Sequence, residues 1–177
     1  MATAEPVPDQ VGAAREKTVS WHDPMTTASL GRTMSGRDFL EAVRDGQLPA
    51  APIAKLMEFS IEEVGEGRVV FGCTPDESLY NPIGTVHGGL VCTLADTVIG
   101  CAVHSLLEAG VAYTSIDLTV NYLRPVTADG TKLLATGTVT KPGRRVAFAT
   151  AEIVDASGKV VATGTGSVLI MDLRLPQ

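Results

Sequence analysis

Residues 88–110, "GGLVCTLADTVIGCAVHSLLEAG", carry no charge but Asp96 until Glu108, and they run far longer than an ordinary strand. A segment of that length and apolarity reads as an α-helix of about five to six turns, buried over most of its circumference. Gly110 closes it in the manner of a glycine C-cap. A helix so apolar needs cover on nearly every side, and two downstream segments supply it. In "VAFATAEIV" (146–154) Ala147, Ala149 and Ala151 share one strand face, and in "VVATGTGSV" (160–168) Ala162, Gly164 and Gly166 do the same. A sheet face stripped of bulk lets a thick object come close. The sequence therefore predicts a sheet curled around the helix.

Outward from the helix, the period is mostly two. "MEFSIEEV" (57–64) and "GRVVFGCTP" (67–75) alternate around the turn-forming "GEG", which reads as a hairpin. "YTSIDLTVNYLRP" (113–125) sets Ile116, Leu118, Val120 and Tyr122 against Ser115, Asp117, Thr119 and Asn121. With "TKLLATGTVTKPG" (131–143) and the two Ala- and Gly-rich segments it makes four strands in meander order, hence an antiparallel sheet of five to six strands in an α+β fold. Upstream, "SGRDFLEAVRDGQLP" (35–49) offers Ser35 as N-cap, Phe39, Leu40 and Val43 at helical spacing, and Gly46 and Pro49 as stops. Residues 1–35 are polar and rich in Ala, Pro and Thr, and they are expected to form a flexible leader ahead of a single domain, 36–177, with Trp21 anchoring the leader to the body.

A chain of 177 residues with 45% hydrophobic residues and a net charge of -6 suits one globular domain. Cys73, Cys92 and Cys101 are odd in number and lack C-x-x-C spacing, so buried thiols of a reducing compartment are expected rather than a disulfide framework. With no signal-like N-terminus and no segment of membrane-spanning apolarity, a cytoplasmic protein without membrane contact is expected. Residues 1–50 hold five Lys and Arg against seven Asp and Glu, which argues against nucleic acid as a partner.

The chemistry concentrates in "NPIGTVHGGL" (81–90) and the helix behind it. The first N–H groups of a helix have no intrahelical acceptor and sit at the positive end of its dipole. At Gly88 and Gly89 nothing shields those donors, so a carbonyl oxygen can approach as in an oxyanion hole, although a turn needing glycine would leave the same trace. Thr93, Asp96, Thr97, Gly100 and His104 fall on one helical stripe of small or weakly polar groups. Such a stripe suits packing against a second copy of the chain, which would draw Asp96 partly out of water and tune it for proton transfer; an Asp held by a neighbouring hydroxyl for packing alone is the alternative. His22, His87 and His104 form no ligand cluster with acids or cysteines, so no metal is expected. A Ser115, His87, Asp96 triad is conceivable, though no G-x-S-x-G elbow presents the serine, and the "GTGS" of 164–167 lies in a strand rather than opening a nucleotide-binding helix.

"NPIGTVHGGLVCTLADTVIG" resembles the N-x-x-G-x-x-H-G-G-x(6)-D signature of hotdog-fold thioesterases of the PaaI-like, acyl-CoA thioesterase group, and the likeness runs from roughly Gly36 to Met171. The resemblance implies an antiparallel sheet wrapped around the long helix, and hydrolysis of acyl-CoA thioesters. It assigns Asp96 as general base or nucleophile, the Gly88 N–H as the group polarising the thioester carbonyl, Asn81 and His87 as orienting residues, and Ser115 as a holder of the water. It also implies a dimer or dimer of dimers with sites at the subunit interface, where Asn81 and His87 act with Asp96 of another copy. A thiolate leaves with little acid help, because thiols ionise near pH 8.5, so one base and one oxyanion hole suffice and no cofactor is expected beyond the coenzyme A of the substrate. Gly89, Arg124, Lys141, Arg144 and Arg145 are the candidates for substrate contact, the four cations for coenzyme A phosphates. A hotdog hydratase or dehydratase and a non-catalytic acyl-CoA-binding protein are the other readings. The H-G-G-x(6)-D spacing and Asn81 speak against the first, and the acidic N-terminal third against a DNA-linked sensor.

Overall fold

The computed structural model describes residues 12–174. Its elements in chain order are α1 (Pro24–Gly31), α2 (Gly36–Arg44), α3 (Pro52–Leu56), β1 (Phe59–Gly65), β2 (Arg68–Cys73), α4 (Gly88–His104), β3 (Val111–Tyr122), β4 (Leu133–Lys141), β5 (Val146–Val154) and β6 (Val160–Asp172). The six strands form one antiparallel sheet in the order β1-β2-β4-β5-β6-β3, curled around α4. This is the hotdog arrangement. None of the described helices is long and apolar enough to cross a membrane.

The contact between α4 and the sheet is made without bulk. Leu94, Ala95, Val98, Ile99, Ala102 and Val103 of α4 are buried against Ala135, Ala149, Ala151, Ala162 and Val168 of the sheet. The tightest point is Gly137 in β4, where an added Cβ would stand 2.0 Å from the Val98 carbonyl oxygen. Gly164 is looser, its added Cβ meeting Ala95 and Ala151 at 3.4 Å. The Ala and Gly faces of β5 and β6 therefore do what their pattern predicted, and β4 adds the decisive glycine.

The structure departs from the sequence expectation in four places. First, α4 ends at His104 rather than near residue 108. Buried Ser105 donates to the Ala102 carbonyl at 2.7 Å and accepts from the Gly67 N–H at 2.9 Å, which pins the chain to the β1–β2 turn. Leu106 and Leu107 then bond back three residues instead of four, and Gly110 leads into β3. Second, β3 does not lie beside β4 in a meander. Because α4 crosses the inner face of the sheet, the chain re-enters at the far edge and β3 pairs with β6.

Third, Ser115 and Asp117 do not share a face. The register slips between them, leaving Ile116 as a bulged extra residue. Ser115 then pairs with buried Val168 on the inner face, while Asp117 pairs with Ser167 on the outer one and accepts its hydroxyl hydrogen bond. Fourth, part of the expected leader is helical: Asp23 caps α1 by accepting from the Met25 N–H at 2.9 Å, with Pro24 in the first turn. Trp21 is 61% exposed and is not part of the core that it was expected to anchor to. Residues 1–11 of that leader lie outside the described residues.

Gly137→Ala should destabilise the fold by about 3 kcal/mol or more, because the clash is with helix backbone that no rotamer change relieves. Gly164→Ala should cost clearly less. Thermal or denaturant unfolding of the two variants checks the ordering, and equal losses would contradict this account of how α4 seats on the sheet.

Candidate active site

The loop before α4 is held by Asn81. Its Oδ1 accepts from the Ile83 and Thr85 N–H groups at 3.0 and 3.2 Å, and its Nδ2 donates to Thr85 Oγ1 at 2.9 Å. Gly84, at φ +79°, completes the turn. Oδ1 and one of the two Nδ2 hydrogens of Asn81 are thus engaged in the loop's shape. The His87 N–H donates to the Leu79 carbonyl at 2.7 Å, and the His87 side chain caps the helix, Nδ1 accepting from the Gly89 N–H at 2.8 Å. That bond places the imidazole proton on Nε2.

The two glycines consequently differ. The Gly89 N–H is occupied by His87, whereas the Gly88 N–H has no acceptor among the described residues. Tyr122, from the end of β3, donates its hydroxyl to the Gly88 carbonyl at 3.1 Å, and its ring lies 3.1 Å from where a Cβ on Gly88 would stand. Gly88, Asn81, Thr85, Tyr122 and Arg124 line one cleft of about 350 Å³. A Cβ here would press on the exposed tyrosine ring and shift it by a few tenths of an ångström, and its absence leaves the free donor accessible.

Asp96 lies eight residues further along the helix and is exposed in the single chain. Ser115 Oγ donates to its Oδ1 at 2.6 Å, a contact the β3 bulge makes possible. The pair sits on a second, larger cleft of about 440 Å³ beside α4. The Tyr113 ring covers Gly100, where a Cβ would come within 2.7 Å of it, and His104 lies between Tyr113 and Phe39 with ring centroids 5.1 and 5.6 Å away. Burial pushes the Cys101 thiol up to about 12 and the His104 imidazole down to about 4. Cys101 is therefore a thiol and no nucleophile, and His104 is neutral.

The stripe on α4 is thus divided. Gly100 and His104 are covered by Tyr113 and Phe39 of the same chain, not left for a second copy, while Asp96 stays open. At 1.5 Å per residue, Gly88 and Asp96 are about 12 Å apart along the axis and line different clefts. One chain cannot present both to one carbonyl, and a triad of Ser115, His87 and Asp96 does not form within it. The cations are also split. Arg124 donates to the Val160 carbonyl at the start of β6, whereas the turn carrying Lys141, Arg144 and Arg145 meets Ile170 near its end, about 30 Å away at strand rise. All four stand at strand ends in the sequence, which hid this separation. Tyr122, Tyr113 and Phe39, which build the walls, read in the sequence only as apolar periodicity. Among the described residues, no three His, Cys, Asp or Glu side chains cluster at metal-binding distance.

A family model described as the thioesterase superfamily matches residues 83–162, most of the loop before α4, α4 itself and strands β3 to β5. The chain is 29% identical over 133 residues to acyl-coenzyme A thioesterase 13 of Homo sapiens, covering 75% of this chain and 91% of that protein. It is 33% identical over 113 residues to the acyl-coenzyme A thioesterase PaaI of Escherichia coli, covering 64% of this chain and 78% of that one. The solved structure of the E. coli PaaI protein from the phenylacetic acid degradation operon superposes with a TM-score of 0.67 at 28% identity, covering 78% of this chain and 96% of that chain.

The half-buried, neutral His104 makes a pH prediction. Its pKa is depressed from 6.5 to about 4 in the folded state, so the unfolded chain binds more protons between those values. Its contribution to stability is intact above about pH 6.5 and is lost as the pH falls toward 4, by about 3 kcal/mol in all. Urea unfolding of wild type and His104→Gln across this range should show a smaller acid loss in the variant; parallel curves would contradict the burial argument.

Proposed function

The chain belongs to the thioesterase superfamily, and from that membership we propose that it hydrolyses acyl-CoA thioesters to the free acid and coenzyme A. The observation that carries the reading is the carboxylate of Asp96, fixed by Ser115 at 2.6 Å, on the edge of the larger cleft. That cleft is lined largely by apolar and aromatic side chains such as Phe39, Phe59 and Tyr113, which suits an acyl group.

In this scheme Ser115 occupies Oδ1 of Asp96 and leaves Oδ2 to take a proton from water, which attacks the thioester carbon. The carbonyl oxygen gains charge as the tetrahedral intermediate forms, and the unengaged Gly88 N–H at the helix N-terminus stabilises it. Collapse expels the thiolate. Direct attack by Asp96 through an anhydride uses the same residues. Because Gly88 and Asp96 of one chain are too far apart, the complete site combines Asp96 and Ser115 of one copy with the Asn81–Gly88 loop of another in a homodimer. Arg124, which lines the cleft beside Gly88, is the first choice for a coenzyme A phosphate. Lys141, Arg144 and Arg145 of the same chain lie too far from it to share that group.

The test is thiol release from a panel of acyl-CoA esters. Asp96→Asn should lower kcat by about 10² to 10⁴, the range for loss of a general base. Ser115→Ala should lower it by about tenfold, the worth of one hydrogen bond to a charged group, with the dimer and ligand binding retained. Binding of the esters with no thiol released by wild type would replace this reading by that of an acyl-CoA-binding protein.

A further inference from the structure

The cleft beside α4 has an order along its length. Asp96 and Ser115 mark one end, Gly100 and Tyr113 follow, and then come His104 and Phe39. From Asp96 to His104 is again eight helical residues, about 12 Å. Beyond Phe39 the cleft meets α1. Gly31, at the end of α1, approaches so closely that an added Cβ would be 2.9 Å from the Phe39 ring, and Thr27 and Ala28 of α1 belong to the cleft wall.

The segment that carries this wall is held at its ends and not by a core. No residue of α1 is buried. Ahead of it, Lys17 Nζ binds Asp76 Oδ2 at 2.7 Å and Glu58 Oε2 at 3.1 Å, and Arg15 pairs with Glu77. Behind it, the Gly110 N–H donates to the Arg32 carbonyl and the Gly36 N–H to the Leu107 carbonyl, both at 2.9 Å. Arg15 and Glu77 pair at the exposed surface and Lys17 is held by two carboxylates, with no apolar core beneath α1, so the segment can lift without unfolding the domain.

We propose that residues 15–31 form a strap across the far end of the cleft and set the longest acyl group that the site accepts. The proposal rests on the reading of this cleft as the acyl site of a thioesterase. A hydrophobic pocket discriminates about tenfold or more per methylene at the point where the chain meets a wall, so a strap there acts on chain length and not on the chemical step.

The experiment is kcat/KM across straight-chain esters from butyryl-CoA to palmitoyl-CoA, for wild type, Thr27→Trp and the tether variant Arg15→Met/Lys17→Met, with melting curves to check folding. Thr27→Trp should lower kcat/KM about tenfold more on the longest ester that wild type accepts than on the shortest. The tether variant should extend acceptance to longer esters. If Thr27→Trp does not fold, the tether variant decides alone. Uniform changes at every length, or none, would overturn the strap while leaving the thioesterase reading intact, since turnover persists. No thiol release by wild type from any ester would overturn that reading first, and the strap with it.

Discussion

The structure depends on the distance at which α4 rests on the sheet. At Gly137 there is no room for a single methyl group between β4 and the Val98 carbonyl. The alanines of β5 and the Ala162, Gly164, Gly166 row of β6 keep the neighbouring strands close to the helix as well, with more room than at Gly137. Close packing without voids fixes the helix in depth and rotation. Rotation matters most, because it buries Ala95 and leaves Asp96, the next residue, outside.

Once α4 is seated, β3 supplies the partners for both of its chemical ends. Ser115, turned inward by the bulge at Ile116, holds Asp96 in mid-helix. Tyr122, near the other end of the same strand, holds the Gly88 carbonyl and crowds the first helical turn. The helix N-terminus keeps one N–H free because His87 takes the next. Carboxylate and donor are thus each well prepared, and the length of the helix between them keeps them apart. The proposed site is a consequence of that spacing: two copies, each supplying the half that the other lacks.

Much of this was legible in the sequence. The apolar run identified the central helix, and the Ala and Gly faces of 146–154 and 160–168 announced the sheet around it, because those patterns depend on period and bulk alone. The N-x-x-G-x-x-H-G-G-x(6)-D resemblance located the loop and Asp96. What escaped depended on contacts between distant residues. The helix stop at Ser105 requires Gly67, the inward turn of Ser115 requires a one-residue slip against β6, and the placement of β3 requires knowing which way α4 crosses. Helix α1 was passed over because its lack of an apolar stripe removed the usual signal, although Asp23 and Pro24 spelled out its start. The division of Arg124 from Arg144 and Arg145 is likewise a matter of topology, not of spacing.

The central claim is that one active site takes Asp96 from one copy and the Gly88 donor from another. Complementation tests it directly. Asp96→Asn removes the base, and Gly88→Pro removes the N–H at a helical position where proline is tolerated. Each variant alone should be inactive toward acyl-CoA esters. After unfolding and refolding as a mixture, half of a random population of symmetric dimers is mixed and each mixed dimer holds one intact site, so activity should return to about a quarter of wild type. A mixture as inactive as its components would place both groups in one chain's site and contradict the account.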